Sequence, residues 1–277
     1  GRVTAVFERS IYLEVNCSWI CLADASLGFG PLVVSVKSIY GRDWINSFRV
    51  GRLLKLSSES IKIDDSTIIS TKGVRSWEPP KTSNWTKTSI LLGLRALENL
   101  VESNIPYIGL GRFIFEYPDR FPSSDECLAA EHSIEILKNW LKQCFEIQMP
   151  IIPDKEAIAS LIGLGPGLTP SGDDFLGGML IALHICGKKS VKKNLFVQIE
   201  SLIDSTGPVS STHLYAAANG EGSHSLHQLI NFLLEGNDAH LERAIAAIDR
   251  IGHTSGWDAL AGVAVVLRQL VATSRSA

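Results

Sequence analysis

A chain of 277 residues, 45% hydrophobic and 20% charged, is too apolar to stay disordered and long enough for two unequal cores. Its formal net charge of -3, with no run of Lys or Arg, argues against a nucleic-acid or anionic-membrane surface, which needs concentrated basic charge. Small molecules or other proteins are the expected partners. The five cysteines form no C-x-x-C pair and read as reduced, mostly buried thiols. No basic-then-apolar leader opens the chain. The longest apolar stretches, 175–186 and 259–267, fall short of the roughly 20 residues of a membrane span, so a cytoplasmic protein is expected.

From Val3 to about Ser70 the pattern is period-two and β-branched: Val3/Ala5/Phe7, Ile11/Leu13/Val15, Leu32 to Val36, Leu53 to Leu56, Ile61 to Ile63 and Thr67 to Ile69. Gly28, Gly30-Pro31, Gly41 and Asp64-Asp65 punctuate these runs. Short strands at this spacing predict an antiparallel barrel-like or sandwich unit. Pro79-Pro80, which can enter neither a sheet ladder nor a helix interior, marks the boundary. Beyond it the period becomes helical over about 88–102, 123–145, 154–162, 172–186, 190–203, 211–219, 225–234, 238–251 and 255–272. The expected fold class is α+β: a β-rich domain over 1–75, a linker over 76–87 and a mainly helical domain over 88–277.

Two segments of the helical part echo each other without a gap. Ser171-Gly172-Asp173-Asp174-Phe175-Leu176-Gly177-Gly178 and Ser255-Gly256-Trp257-Asp258-Ala259-Leu260-Ala261-Gly262 share S-G-x-D-x-L-x-G, and both open an apolar helix. The local reading is capping: Ser171 and Ser255 as caps, with Asp174 and Asp258 as acidic partners of a capping box. Helical glycines cost roughly 1 kcal/mol each relative to alanine. Gly177, Gly178 and Gly262 therefore predict two helices in close backbone contact, their N-termini bordering one cleft.

The first echo is preceded by Gly163-Leu164-Gly165-Pro166-Gly167-Leu168-Thr169-Pro170. Such a turn lets backbone N–H groups converge where the helix dipole favours negative charge. It is neither a Walker loop nor a dinucleotide G-x-G-x-x-G. Two readings stand: an anion site built from Gly165, Gly167, Thr169, Ser171 and Gly172, joined by Ser255 and Gly256 of the second echo, or a tight helix entry. Since the echo assigns a shared structural task to Asp174 and Asp258, Asp173 is the carboxylate left for chemistry. His253, just before the second echo, is the candidate histidine. His184 is expected in the core, and His224 and His227 on a solvated loop or helix start. No Cys/His zinc spacing appears and no metal site is expected from these residues. Carboxylates suit Mg2+, which is the one cofactor left open.

The run 163–178 together with Gly252-His253-Thr254-Ser255-Gly256-Trp257-Asp258-Ala259-Leu260-Ala261-Gly262 resembles the bacterial family that includes the oxamate carbamoyltransferase subunit AllH, over nearly the whole chain. What that resemblance implies is a subunit of a multi-protein enzyme of allantoin breakdown, acting between oxalurate or oxamate, phosphate and carbamoyl phosphate. All of these are small anions. The S-T-R-T-R loop of ordinary carbamoyltransferases is absent, so their mechanism is not implied. The rivals are a scaffold or regulatory subunit and a carboxylase- or ligase-like enzyme using Mg2+ and a nucleotide.

Overall fold

The computed structural model describes residues 1–37, 43–65 and 67–273; Gly41 lies outside them. The chain divides into two compact units, Gly1–Glu78 and Pro79–Ala277.

The first unit holds two sheets. One contains β1 (Arg2–Val6), β2 (Ser10–Val15), β3 (Ser18–Asp24) and β4 (Val33–Val36) in that order, and the other β5 (Leu54–Leu56), β6 (Ser60–Ile63) and β7 (Thr67–Ser70). The edge of β1 continues into the second sheet through Val3 N–H donating to Arg52 O and an isolated bridge between Arg2 and Leu53. Alternate residues Ile11 and Leu13 on β2 and Ile61 and Ile63 on β6 point inward with Val3, Leu22, Val36 and Leu54, and Trp44 and Phe48 fill the space between them. Trp44 belongs to the short helix α1 (Trp44–Ser47). The antiparallel expectation fails at one place. β3 and β4 pair in parallel, because the chain between them makes a short 3-10 helix, Ala25–Leu27, and returns in the same direction. β3 itself has no clean alternation, since Cys21 to Asp24 are all buried, which is why period-two reading passes it by.

The second unit is helical: α2 (Lys87–Val101), α3 (Asp125–Glu146), α4 (Lys155–Ala159), α5 (Ser171–Ile185), α6 (Lys189–Glu200), α7 (Pro208–Ala218), α8 (His224–Glu235), α9 (Leu241–Ile248) and α10 (Ser255–Ala272). Side-chain caps fix several starts, among them Thr86 with Ser89 in a capping box on α2, Ser124 on α3, Asp154 on α4 and Ser223 on α8. α10 is apolar on every side and runs through the centre, packed on α5, α3 and α2. Its one cation, Arg268, donates to Glu98 Oε1 and to Ile114 O, both at 2.6 Å. Among the described residues no helix is long and apolar enough to cross a membrane.

α5 and α10 are related by a reciprocal contact. A β-carbon added at Gly178 would lie 1.9 Å from Ala259 O, and one added at Gly262 would lie 2.0 Å from Phe175 O. Phe175 and Ala259 are equivalent positions of the sequence echo, as are Gly178 and Gly262. The echo is thus a local pseudo-two-fold. Gly177 takes no part, having only Ala217 Cβ at 3.8 Å.

Candidate functional site

The Gly-rich turn links α4 to α5. Gly163, Gly165 and Gly167 take φ of 75°, 107° and 96°, a region that L side chains rarely enter. Pro166, Gly167 and Leu168 are exposed. Among the described residues, the amides of Gly165, Gly167, Leu168, Thr169 and Ser171 find no acceptor within the chain; that of Ser171 belongs to a buried residue, and those of Gly167 and Leu168 to exposed ones at the N-terminal end of α5. Other amides of the turn are spent on shape: Leu164 N–H donates to Leu161 O and Gly172 N–H to Leu164 O.

The two adjacent carboxylates, Asp173 and Asp174, are held in different ways. Asp173 is 2% exposed; its Oδ1 accepts from Gly163 N–H at 2.9 Å, and its Oδ2 from Ser210 Oγ at 2.6 Å and from Thr206 Oγ1. It ties the start of the turn to α7 and the segment before it, and so is occupied by structural work. The equivalent residue of the second echo, Trp257, does a parallel job by donating its Nε1–H to Asp249 Oδ1 at 2.9 Å.

Asp174, by contrast, is not in a capping box. The cap positions of α5 and α10 are Pro170 and Thr254, and neither makes a side-chain cap bond. Ser171 and Ser255 sit one residue further in and turn across the helix pair. The Ser255 and Thr169 hydroxyls, which bond to each other at 3.0 Å, flank Asp174, while Ser171 and Thr254 flank Asp258. Each aspartate therefore faces the serine of the other echo. Asp258 is fully buried; its Oδ1 accepts from Leu110 N–H at 2.5 Å, and Gly109 is packed against the same oxygen. The Oδ2 atoms of both Asp174 and Asp258 are buried and closed by no hydrogen bond.

Electrostatics follow from that burial. Desolvation first, then the negative charge of Asp258, hold the Asp174 carboxyl well above the usual carboxylate range. Desolvation also pushes Asp258 up to about 6, against the opposing effect of the Leu110 amide. The other charges that act on the two, Asp173 and Glu126, are carboxylates as well.

The remaining candidates divide. Thr169 and Ser255 are brought together at the mouth of the pair, and His253 is exposed on the turn before α10. Gly172 and Gly256 are buried packing positions: their amides donate to Leu164 O and Ile251 O, and added β-carbons would strike Leu161 O at 1.9 Å and Ile248 O at 2.3 Å. Neither amide is open to a ligand. His227 is corrected from solvated to buried, with Nε2 accepting from Gly222 N–H at 3.1 Å. His184 is half-buried against Gly220, its Nδ1 3.2 Å from Lys192 Nζ. Among the described residues no group of three or more His, Cys, Asp or Glu side chains is placed to hold a metal ion. Sequence reasoning missed Gly109, Leu110 and Thr206, and read Ser210 only as part of a helix start. Nothing local marks them, because each acts through a partner 33 or more positions away.

Residues 161–267 match the family model described as oxamate carbamoyltransferase subunit AllH. The matched segment runs from Leu161, just before the Gly-rich turn, to Leu267 in the later half of α10, and so takes in both echoes and the whole turn. It is narrower than the near-complete resemblance expected from the sequence. No solved structure matches the chain.

Proposed function

We propose, with the AllH match as premise, that this chain is a subunit of an oxamate carbamoyltransferase-like enzyme and that its turn 163–170 binds the small anion on which such chemistry acts. The observation that carries this reading is the set of unused amides at Gly165, Gly167, Leu168 and Thr169 on a partly exposed turn at a helix N-terminus. Converging N–H groups there, with the dipole of α5 behind them, stabilise a phosphate or carboxylate without a fixed cation. Asp173 serves this site as a positioning residue: by holding Gly163 it sets the path of the turn. Ser255 and Thr169 close one side with hydroxyl donors, and His253 stands on the neighbouring turn as a candidate for contact with ligand.

Titrating phosphate and oxamate into isotope-labelled protein tests the reading directly. The amide resonances of residues 165–171 should shift saturably at millimolar ligand. Unchanged spectra, in the chain alone and with its partner subunits, would refute it.

A further inference from the structure

We propose that the cleft between α3 and the 3-10 helix Pro118–Arg120 is where another subunit docks, through a short extended segment that carries a lysine or arginine beside an apolar side chain. This rests on the subunit part of the preceding reading and is independent of its anion part. The cleft lies outside the matched segment 161–267.

The cleft measures about 530 Å³, and every residue that lines it belongs to the second unit. α3 contributes Leu128, Glu131, His132, Glu135 and Lys138, positions i, i+3, i+4, i+7 and i+10 of one helix face. Glu116, Tyr117 and Asp119 line it from the side of the 3-10 helix. Four carboxylates thus meet there against one lysine. Two are answered from within the chain, Glu131 by Arg112 at 3.3 Å and Glu135 by Lys138 at 3.2 Å. Glu116 and Asp119 are exposed and, among the described residues, enter no ion pair. The neighbouring cation, Arg120, lies instead over the Phe121 ring, 5.7 Å from its centroid. The unanswered charge is complementary to a cation brought from outside.

Further observations select a protein segment over a free amine or metal ion. Tyr117 and Leu128, on opposite flanks of the cleft, are 64% and 60% exposed, and large apolar side chains beside a polar cleft are what a protein interface covers. From Leu128 to Lys138 the α3 side of the cleft runs about 15 Å, the reach of about four or five residues of extended chain. Arg112, whose side chain is 4% exposed, stands behind Glu131, and its Nε and Nη2 make no hydrogen bond. Buried donors of this kind are nearly always satisfied. A peptide brings both missing partners: a cation for Glu116 and Asp119, and carbonyl oxygens that Arg112 can reach once Glu131 turns to the incoming charge. Phe113, which also lines the cleft, already has Arg112 Cζ 5.1 Å and Lys138 Nζ 5.9 Å from its ring centroid, so its ring favours positive charge at this place.

The full chain, alone and assembled with its partner subunits, tests the proposal. Carboxyl labelling with a carbodiimide and glycine ethyl ester should mark Glu116 and Asp119 in the free chain and be slowed about tenfold or more in the assembly. Glu116→Lys combined with Asp119→Lys should weaken association by about 100-fold and remove most of its salt dependence, and Tyr117→Ala should weaken it by about tenfold. Because these side chains are exposed, the variants should keep the melting temperature of the free chain and its response to phosphate at the Gly-rich turn. If the wild-type chain associates with no other subunit, the subunit reading itself fails. If it associates and the two carboxylates label equally in the free and assembled chain, or the variants bind within about twofold of wild type, that reading stands and the docking cleft is overturned. Protection that appears in the free chain as its concentration rises would assign the cleft to a second copy and overturn the proposal as well.

Discussion

Gly178 lies against the carbonyl oxygen of Ala259 so closely that a β-carbon on it would sit 1.9 Å away. A β-carbon on its sequence neighbour Gly177 would meet only Ala217 Cβ, at an ordinary contact distance of 3.8 Å. Adjacent glycines of one helix thus have opposite reasons to exist. Gly178→Ala should destabilise the chain by about 3 kcal/mol, since backbone must move on both sides. Gly177→Ala should stabilise it by up to about 1 kcal/mol through helix propensity. Urea denaturation of the two variants checks this, and equal effects would mean that the helix pair is looser than described.

Asp173 accepts from one amide and two hydroxyls while 2% exposed. Asp173→Ala leaves those donors unsatisfied and should cost at least about 2 kcal/mol. The loss would appear as a lower melting temperature together with weaker phosphate binding at the released turn. A melting temperature equal to wild type would show that the turn holds its shape without this carboxylate.

Asp258 is pushed up to about 6 from 3.8, first by burial. A carboxyl whose folded pKa exceeds its unfolded one keeps a proton in the folded state that the unfolded state has released. Its contribution to stability is therefore full below about pH 4 and is lost as pH rises through 6, a change of about 3 kcal/mol. Asp258→Asn keeps an acceptor for Leu110 and removes the titration. Measured by denaturation from pH 4 to 7, the variant should gain on wild type as pH rises. His213 and His227, both lowered to about 4 by burial, act with the opposite sign, but they are common to both proteins and cancel in the difference. A difference that is flat with pH would place the Asp258 carboxyl in water.

Cys17 is exposed, whereas Cys21, Cys127, Cys144 and Cys186 are buried. Burial raises the Cys21 and Cys186 thiols to about 11 and about 12, which keeps them protonated and unreactive. A thiol reagent at pH 8 should label Cys17 rapidly and the other four only on unfolding. Peptide mapping after brief labelling decides it; fast reaction at Cys186 would contradict the packing of α5.

Most of the elements are legible in local sequence. Helical periodicity and caps are local, so the starts of α2, α5, α8 and α10 were readable to within a residue or so. The S-G-x-D-x-L-x-G echo and its glycines were enough to predict that two helices approach closely, because a glycine inside an apolar helix needs a reason. The open Gly-rich turn was legible for the same cause. What each aspartate touches depends on the tertiary fold. Capping was the best local account of Asp174, but Pro170 and Thr254 hold the cap positions, and the helix contact at Gly178 and Gly262 turns Asp174 toward Asp258 and its hydroxyls. Asp173 looked free because Ser210 and Thr206 stand 37 and 33 residues away. The parallel pairing of β3 with β4, the burial of His227 and the approach of Gly109 and Leu110 to Asp258 escaped in the same way. Each depends on which distant surface arrives beside a residue, and a distant partner leaves no trace in local spacing.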